Sequence, residues 1–147
     1  MGAAKAIGGL LVFVAGVLVL LIALDFLNIL EIFTSANPEY IDNIMYYSYV
    51  WPAAGPNYPY IGLILAIFAI IGGILGMAGK KAGGAIALLI GALWFIGGFL
   101  LASVPILFPM SAIFFWTDQI TIPNGLIAIE AIICLLGSSL ILASRED

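Results

Sequence analysis

Four long, almost uncharged apolar segments are the feature that most constrains the fold of this chain. They cover residues 6–30, 61–79, 82–107 and 125–144. A transmembrane helix needs roughly 20 apolar residues to cross about 30 Å of hydrocarbon, and each segment meets that requirement. The chain is 65% hydrophobic and 8% charged, whereas soluble domains carry about 25% charged residues. The sequence therefore predicts an all-α integral membrane protein: one domain, residues 1–147, built as a bundle of four transmembrane helices.

The first segment admits a second interpretation, because Lys5 precedes an apolar run as in a signal peptide. The run is longer than a signal peptide requires, and no small-x-small cleavage site follows before Asp25 and Asn28. These two features favour a retained helix.

Basic residues define the predicted orientation. The chain has four, Lys5, Lys80, Lys81 and Arg145, and four spans place all of them on one side. The outer loops, residues 31–60 and 108–124, contain acidic residues but no lysine or arginine. The positive-inside rule then places both termini in the cytoplasm. The short tails favour a prokaryotic plasma membrane.

Aromatic residues are concentrated in the two predicted outer loops. In the first loop, Asn37 and Pro38 are typical of a helix start and predict a short helix at the membrane interface. The aromatic interface candidates are Tyr46, Tyr47, Tyr49, Trp51, Phe114, Phe115 and Trp116. Such side chains are typical of an interfacial belt, and a binding surface for a partner is the alternative.

Small residues recur every seven positions in three of the four segments. The helix-packing candidates are Gly9, Gly16, Gly62, Ala69, Gly76, Gly84, Gly91 and Gly98. Small side chains let helices approach closely in lipid, and a spacing of 3.5 residues favours a left-handed bundle. Packing inside the bundle is the favoured interpretation, and contact of some stripes with a neighbouring subunit is the alternative.

Two acids fall within the predicted spans. Glu130 is expected about five residues into the fourth span, and Asp25 lies near the outer end of the first. Acids at membrane depth are costly and are candidates for proton or ion handling. The structural alternative is that Asp25 reaches the membrane surface and that Glu130 is a neutral contact between helices.

The composition excludes several function classes. The chain has no histidine and a single cysteine, Cys134, which argues against a metal site or cofactor. Four basic residues form no nucleic-acid footprint, and no motif indicates an enzyme. The sequence favours an accessory or structural subunit of a larger membrane assembly, with the lipid bilayer and other membrane subunits as partners. A homo-oligomer is the less favoured assembly, and a proton or cation channel or carrier that uses Glu130 is the alternative function.

Overall fold

The computed structural model describes residues 3–26, 58–99, 120–122, 125–127 and 129–144. These residues form helices α1 (Ala3–Phe26), α2 (Tyr58–Met77), α3 (Lys81–Phe99) and α4 (Ile129–Ala143), together with strands β1 (Ile120–Ile122) and β2 (Gly125–Ile127). Within α1 and α2, the segments Ala3–Leu21 and Tyr60–Met77 are long and apolar enough to cross a membrane, and the other two helices are apolar but shorter.

The four helices pack side by side in a ring. Helix α1 packs against α2 and α4, and α3 packs against the same two helices. Neighbours run antiparallel: Gly9 lies against Gly73, whereas Gly16 lies against Ala66 and Ile70. The interior is formed by small and medium-sized side chains around one large one, Trp94. The predicted left-handed twist stays a prediction.

A tight turn connects α2 to α3. Gly79 has a φ of 86°, a left-handed conformation that glycine adopts without steric cost. The amide of Gly79 donates to the Gly76 carbonyl at 3.0 Å, and the amide of Lys80 donates to the Leu75 carbonyl at 2.9 Å. This pair of hydrogen bonds is the Schellman motif that ends many helices. We call this end of the bundle the turn end.

A short hairpin occupies the opposite end, which we call the hairpin end. Strands β1 and β2 are antiparallel, with Ile120 opposite Ile127 and Ile122 opposite Gly125. Strand β2 packs against α3. The sequence analysis expected a helix from Gly125, so this start is corrected: residues 125–127 form a strand, and α4 begins at Ile129.

Three further predictions fall partly or wholly outside the described residues. They are the interfacial helix after Pro38, the last four residues of the first predicted span, and the part of the third predicted span beyond Phe99.

Candidate functional site: polar side chains in the bundle interior

Glu130 lies in the first turn of α4, and its side chain is 0% exposed. The sequence analysis placed it about five residues into the span, and the later start of α4 corrects that position. Glu130 is the second residue of the helix, and the backbone N–H groups of a first turn have no partner within the helix. The positive end of the helix dipole favours a negative charge at this position. The glutamate is therefore an interior acid at a helix terminus.

Trp94 on α3 has a buried indole and is 0% exposed. Its Nε1 atom has no hydrogen-bond partner among the residues that the structure describes. A buried tryptophan N–H usually donates to an acceptor. A buried donor without a partner lowers the stability of the folded state by roughly 1–3 kcal/mol. This indole nitrogen is a polar group whose bonding the described fold leaves incomplete.

Cys134 and the two serines of α4 bond to backbone carbonyls. The Cys134 thiol donates to the Ala87 carbonyl on α3 at 3.3 Å. Ser138 and Ser139 both donate to the Leu135 carbonyl, at 2.8 Å and 2.9 Å. Such bonds satisfy hydroxyl groups inside an apolar helix. The bond of Cys134 joins α4 to α3, whereas the two serine bonds lie within α4.

Lys5 is buried near the turn end, at 0% exposure. Its ammonium group donates to the Gly79 carbonyl at 3.2 Å. A cation near the end of a helix interacts favourably with the last carbonyls and with the helix dipole. The sequence analysis treated Lys5 as a charge on the cytoplasmic side, and the structure adds that it connects α1 to the turn between α2 and α3.

Glycines bring neighbouring helices into backbone contact. A Cβ at Gly8 would lie 2.5 Å from the Gly137 carbonyl oxygen, and a Cβ at Gly73 would lie 2.6 Å from the Phe13 nitrogen. Among the predicted packing residues, those that likewise face another helix of this chain at close range are Gly9, Gly16, Gly76, Gly84 and Gly91. Ala69 is fully buried, and Gly98 lies in α3.

Gly62 is an exception among these glycines. It is buried, yet a Cβ added there would meet no heavy atom of the described residues within 4 Å. It lies near the hairpin end of α2, and no described residue packs against it as closely as residues of α1 and α3 pack against the other glycines of α2.

Several predicted site residues are not placed. The backbone of Asp25 belongs to α1, but its side chain lies outside the described residues, as do Tyr46, Tyr47, Tyr49, Trp51, Phe114, Phe115 and Trp116. Among the described residues, no group of three or more His, Cys, Asp or Glu side chains is arranged to hold a metal ion.

Sequence reasoning missed Lys5 and Trp94 as interior polar residues, although a signal for each was present. Lys5 precedes Gly9 by four residues and Val12 by seven, so it falls on the buried stripe of α1. Trp94 follows Ala87 by seven residues and Ile90 by four, on the buried stripe of α3. Helical spacing alone places both side chains in the interior.

Comparisons of the chain with protein-family models, with curated proteins and with solved structures find no significant match.

Proposed function

We propose that this chain is an integral membrane protein whose four helices cross the bilayer, and that it is a non-catalytic accessory or structural subunit of a larger membrane assembly. One observation carries the proposal: the exterior of the bundle is covered by large apolar side chains, unlike the exterior of a soluble bundle. The buried polar residues include Lys5, Glu130 and Ser138, while large apolar side chains are exposed on all four helices.

The exposed apolar residues surround the bundle. They include Leu89 at 60% exposure and Leu136 at 58%. The others along the helices are Ile7, Leu10, Val14, Ile64, Ile67, Phe68, Ile71, Ile74, Leu88, Ile96, Ile132, Leu140 and Leu142. A soluble monomer rarely exposes large contiguous apolar patches, whereas lipid accepts such a surface without penalty. The lipid bilayer is therefore the environment that suits this exterior.

Helix lengths are compatible with a membrane of ordinary thickness. At 1.5 Å per residue, α1 is about 36 Å long, α2 about 30 Å and α3 about 28 Å. Helix α4, at about 22 Å, is shorter than the roughly 30 Å hydrocarbon core. Non-helical backbone at membrane depth must be covered by protein or face water, and the hairpin before α4 packs on α3.

The packing of the interior supports a structural role. Backbone contacts at Gly8, Gly9, Gly73 and Gly83 bring α1 close to α2 and α4, and α2 close to α3. Contacts of this kind resist sliding, because backbone atoms cannot move aside as a side chain can. Such a rigid bundle suits a subunit that supports others better than one that alternates between open and closed states.

The test is the native mass of the protein after gentle extraction from its own membrane, with every co-migrating chain identified. The proposal expects a stable complex with at least one different membrane protein, dissociated by a denaturing detergent. A monomer or a homo-oligomer under the same mild conditions contradicts the subunit role.

The second candidate is a proton or cation channel or carrier, and complete burial of Glu130 is the observation that favours it. An acid enclosed by membrane helices is a candidate for binding a proton or a cation. In reconstituted vesicles, this candidate expects Glu130→Gln to abolish flux and the exposed Ser139→Ala to retain it. Equal flux in both variants contradicts it.

A further inference from the structure

Helices α1 and α2 diverge from the turn end towards the hairpin end. Near the turn end, a Cβ at Gly9 would lie 2.7 Å from the Gly73 carbonyl oxygen. Two turns further along α1, a Cβ at Gly16 would lie 3.0 Å from the Ile70 nitrogen. Gly62, about three turns from Gly73, lies on the same face of α2. A Cβ there would meet no heavy atom of the described residues within 4 Å. Helix α1 extends beyond this level, so the distance between the two backbones has increased.

Two further backbone contacts lie on the turn-end side of the bundle. A Cβ at Gly8 on α1 would lie 2.5 Å from the Gly137 carbonyl oxygen on α4, and a Cβ at Gly72 on α2 would lie 3.0 Å from the Gly83 carbonyl oxygen on α3. The hairpin-end half of α3 instead contributes Trp94, the largest fully buried side chain among the described residues. Because protein interiors are close-packed, helices around an indole lie further apart than helices around a glycine.

The exposed side chains follow the same trend. Every exposed alanine and serine of the described helices lies towards the turn end, where they are mixed with larger residues such as Ile7. These small residues are Ala3, Ala6, Ala78, Ala82, Ala85, Ser139 and Ala143. Towards the hairpin end, the exposed residues of the described helices are large, among them Ile64, Ile96 and Ile132. The small side chains make the bundle narrower at the turn end.

We propose that the bundle tapers towards its turn end and therefore prefers a curved bilayer, convex on the side of the hairpin end. This preference rests on the proposed membrane-spanning role and names the form of lipid surface that suits the bundle. In a flat bilayer, lipid must stretch or tilt to fill the extra space beside the narrow end, because an unfilled void loses contacts on one side. In a bilayer that is convex at the wide end, the lipids fan out towards that end and follow the taper.

The experiment uses thin membrane tubes pulled from giant vesicles that contain the full-length protein in a Cys134→Ala background. Tyr60→Cys carries a label at the hairpin end, and Lys80→Cys carries it at the turn end. A membrane-impermeant fluorescent maleimide, added outside, labels only those molecules whose cysteine faces outwards. Each variant therefore reports one orientation of the protein relative to the convex outer surface of the tube.

We expect labelled Tyr60→Cys to be enriched in the tube and labelled Lys80→Cys to be depleted, both relative to a lipid dye. Because adjustment of a bilayer around a protein has a small free energy, each effect is expected to be about 1.5- to twofold. Equal distribution of both variants, or the reverse order, overturns the proposal. If the labelled protein stays with the vesicles in an alkaline wash but does not sort, only the taper is contradicted. Loss of the protein in that wash contradicts the membrane-spanning role as well.

A second pair of variants tests the cause of the preference. Ala82→Leu combined with Ala85→Leu widens the turn end and is expected to lower the enrichment of labelled Tyr60→Cys towards one. The matched control Ile64→Leu keeps the size of an exposed residue near the hairpin end and is expected to leave the enrichment unchanged. Full enrichment in the widened variant overturns the proposal. The two labelled cysteine variants decide the question even where the widened variant does not fold.

Discussion

Individual glycines differ sharply in how much space surrounds them. The seven-residue spacing in the sequence predicts packing positions, but it does not say how closely another helix approaches each of them. Gly73 and Gly62 both lie on α2. Among the described residues, a Cβ at Gly73 would meet backbone atoms, and a Cβ at Gly62 would meet no heavy atom within 4 Å. The difference depends on which residues of other helices lie opposite each glycine, and no local sequence pattern encodes this.

A matched pair of substitutions tests this difference. Gly73→Ala is expected to destabilise the bundle by about 1–3 kcal/mol, because Phe13 and Gly9 present backbone atoms that cannot move aside. Gly62→Ala is expected to be neutral or stabilising by up to about 1 kcal/mol, because alanine is the better helix former. Thermal unfolding in detergent micelles measures both, and an equal loss of stability in the two variants contradicts the packing described here.

Lys5 provides a second prediction at the scale of single residues. Lys5→Met removes the donor to the Gly79 carbonyl and is expected to cost about 1.5–3 kcal/mol, the range for hydrogen bonds to charged groups. Lys80→Met removes the same charge from an exposed position in the turn and is expected to change stability by less than about 0.5 kcal/mol. Chemical unfolding in detergent measures the stability of both variants. Equal free energies of unfolding would show that the contact between Lys5 and Gly79 does not stabilise the fold.

Among the helices and strands, α4 is the element for which sequence and structure disagree. Residues 125–127 are apolar, and a hydropathy pattern extends the helix through them. Two local signals opposed this extension: β-branched residues at Ile120–Ile122 and the sequence Pro-Asn-Gly at residues 123–125. The structure adds that only two residues separate Ile122 from Gly125. Pro, Asn and Gly are typical turn residues, and short connections are common in hairpins. Apolarity was thus predictable from sequence, but it does not by itself distinguish a strand from a helix.

The start of α4 is tested with proline. Proline is tolerated in the first turn of a helix but costs about 3 kcal/mol or more in the interior. If α4 begins at Ile129, Ile129→Pro destabilises the protein little more than Ile129→Ala, which controls for loss of the side chain. Ile133→Pro is expected to lose at least about 3 kcal/mol. Equal, large losses for both prolines in thermal unfolding would instead place the helix start nearer Gly125.

For the molecule as a whole, the sequence predicted four apolar helices and the residue types at their contacts. The packing partners of each helix and the connection between Lys5 and Gly79 came from the structure, because they depend on contacts between residues far apart in the chain. Glu130 illustrates both cases. The sequence identified it as an acid within an apolar segment. Its location in the first turn of α4 became known only from the structure, because the hairpin determines where α4 begins.

The proposed membrane orientation gives the two ends of the bundle opposite environments. Lys80 lies at the turn end and Tyr60 at the hairpin end, and both are exposed. Four spans with cytoplasmic termini place Lys80 in the cytoplasm and Tyr60 at the outer surface. Both functional proposals depend on this arrangement, because a subunit or a carrier of this kind must cross the bilayer.

Cysteine accessibility in intact cells tests that claim most directly. In a Cys134→Ala background, which removes the one native thiol, Lys80→Cys and Tyr60→Cys are each exposed to a membrane-impermeant maleimide, before and after the membrane is permeabilised. We expect Tyr60→Cys to react in intact cells and Lys80→Cys to react only after permeabilisation. Reaction of both cysteines from the same side, or release of the protein from the membrane by alkaline washing, would contradict it.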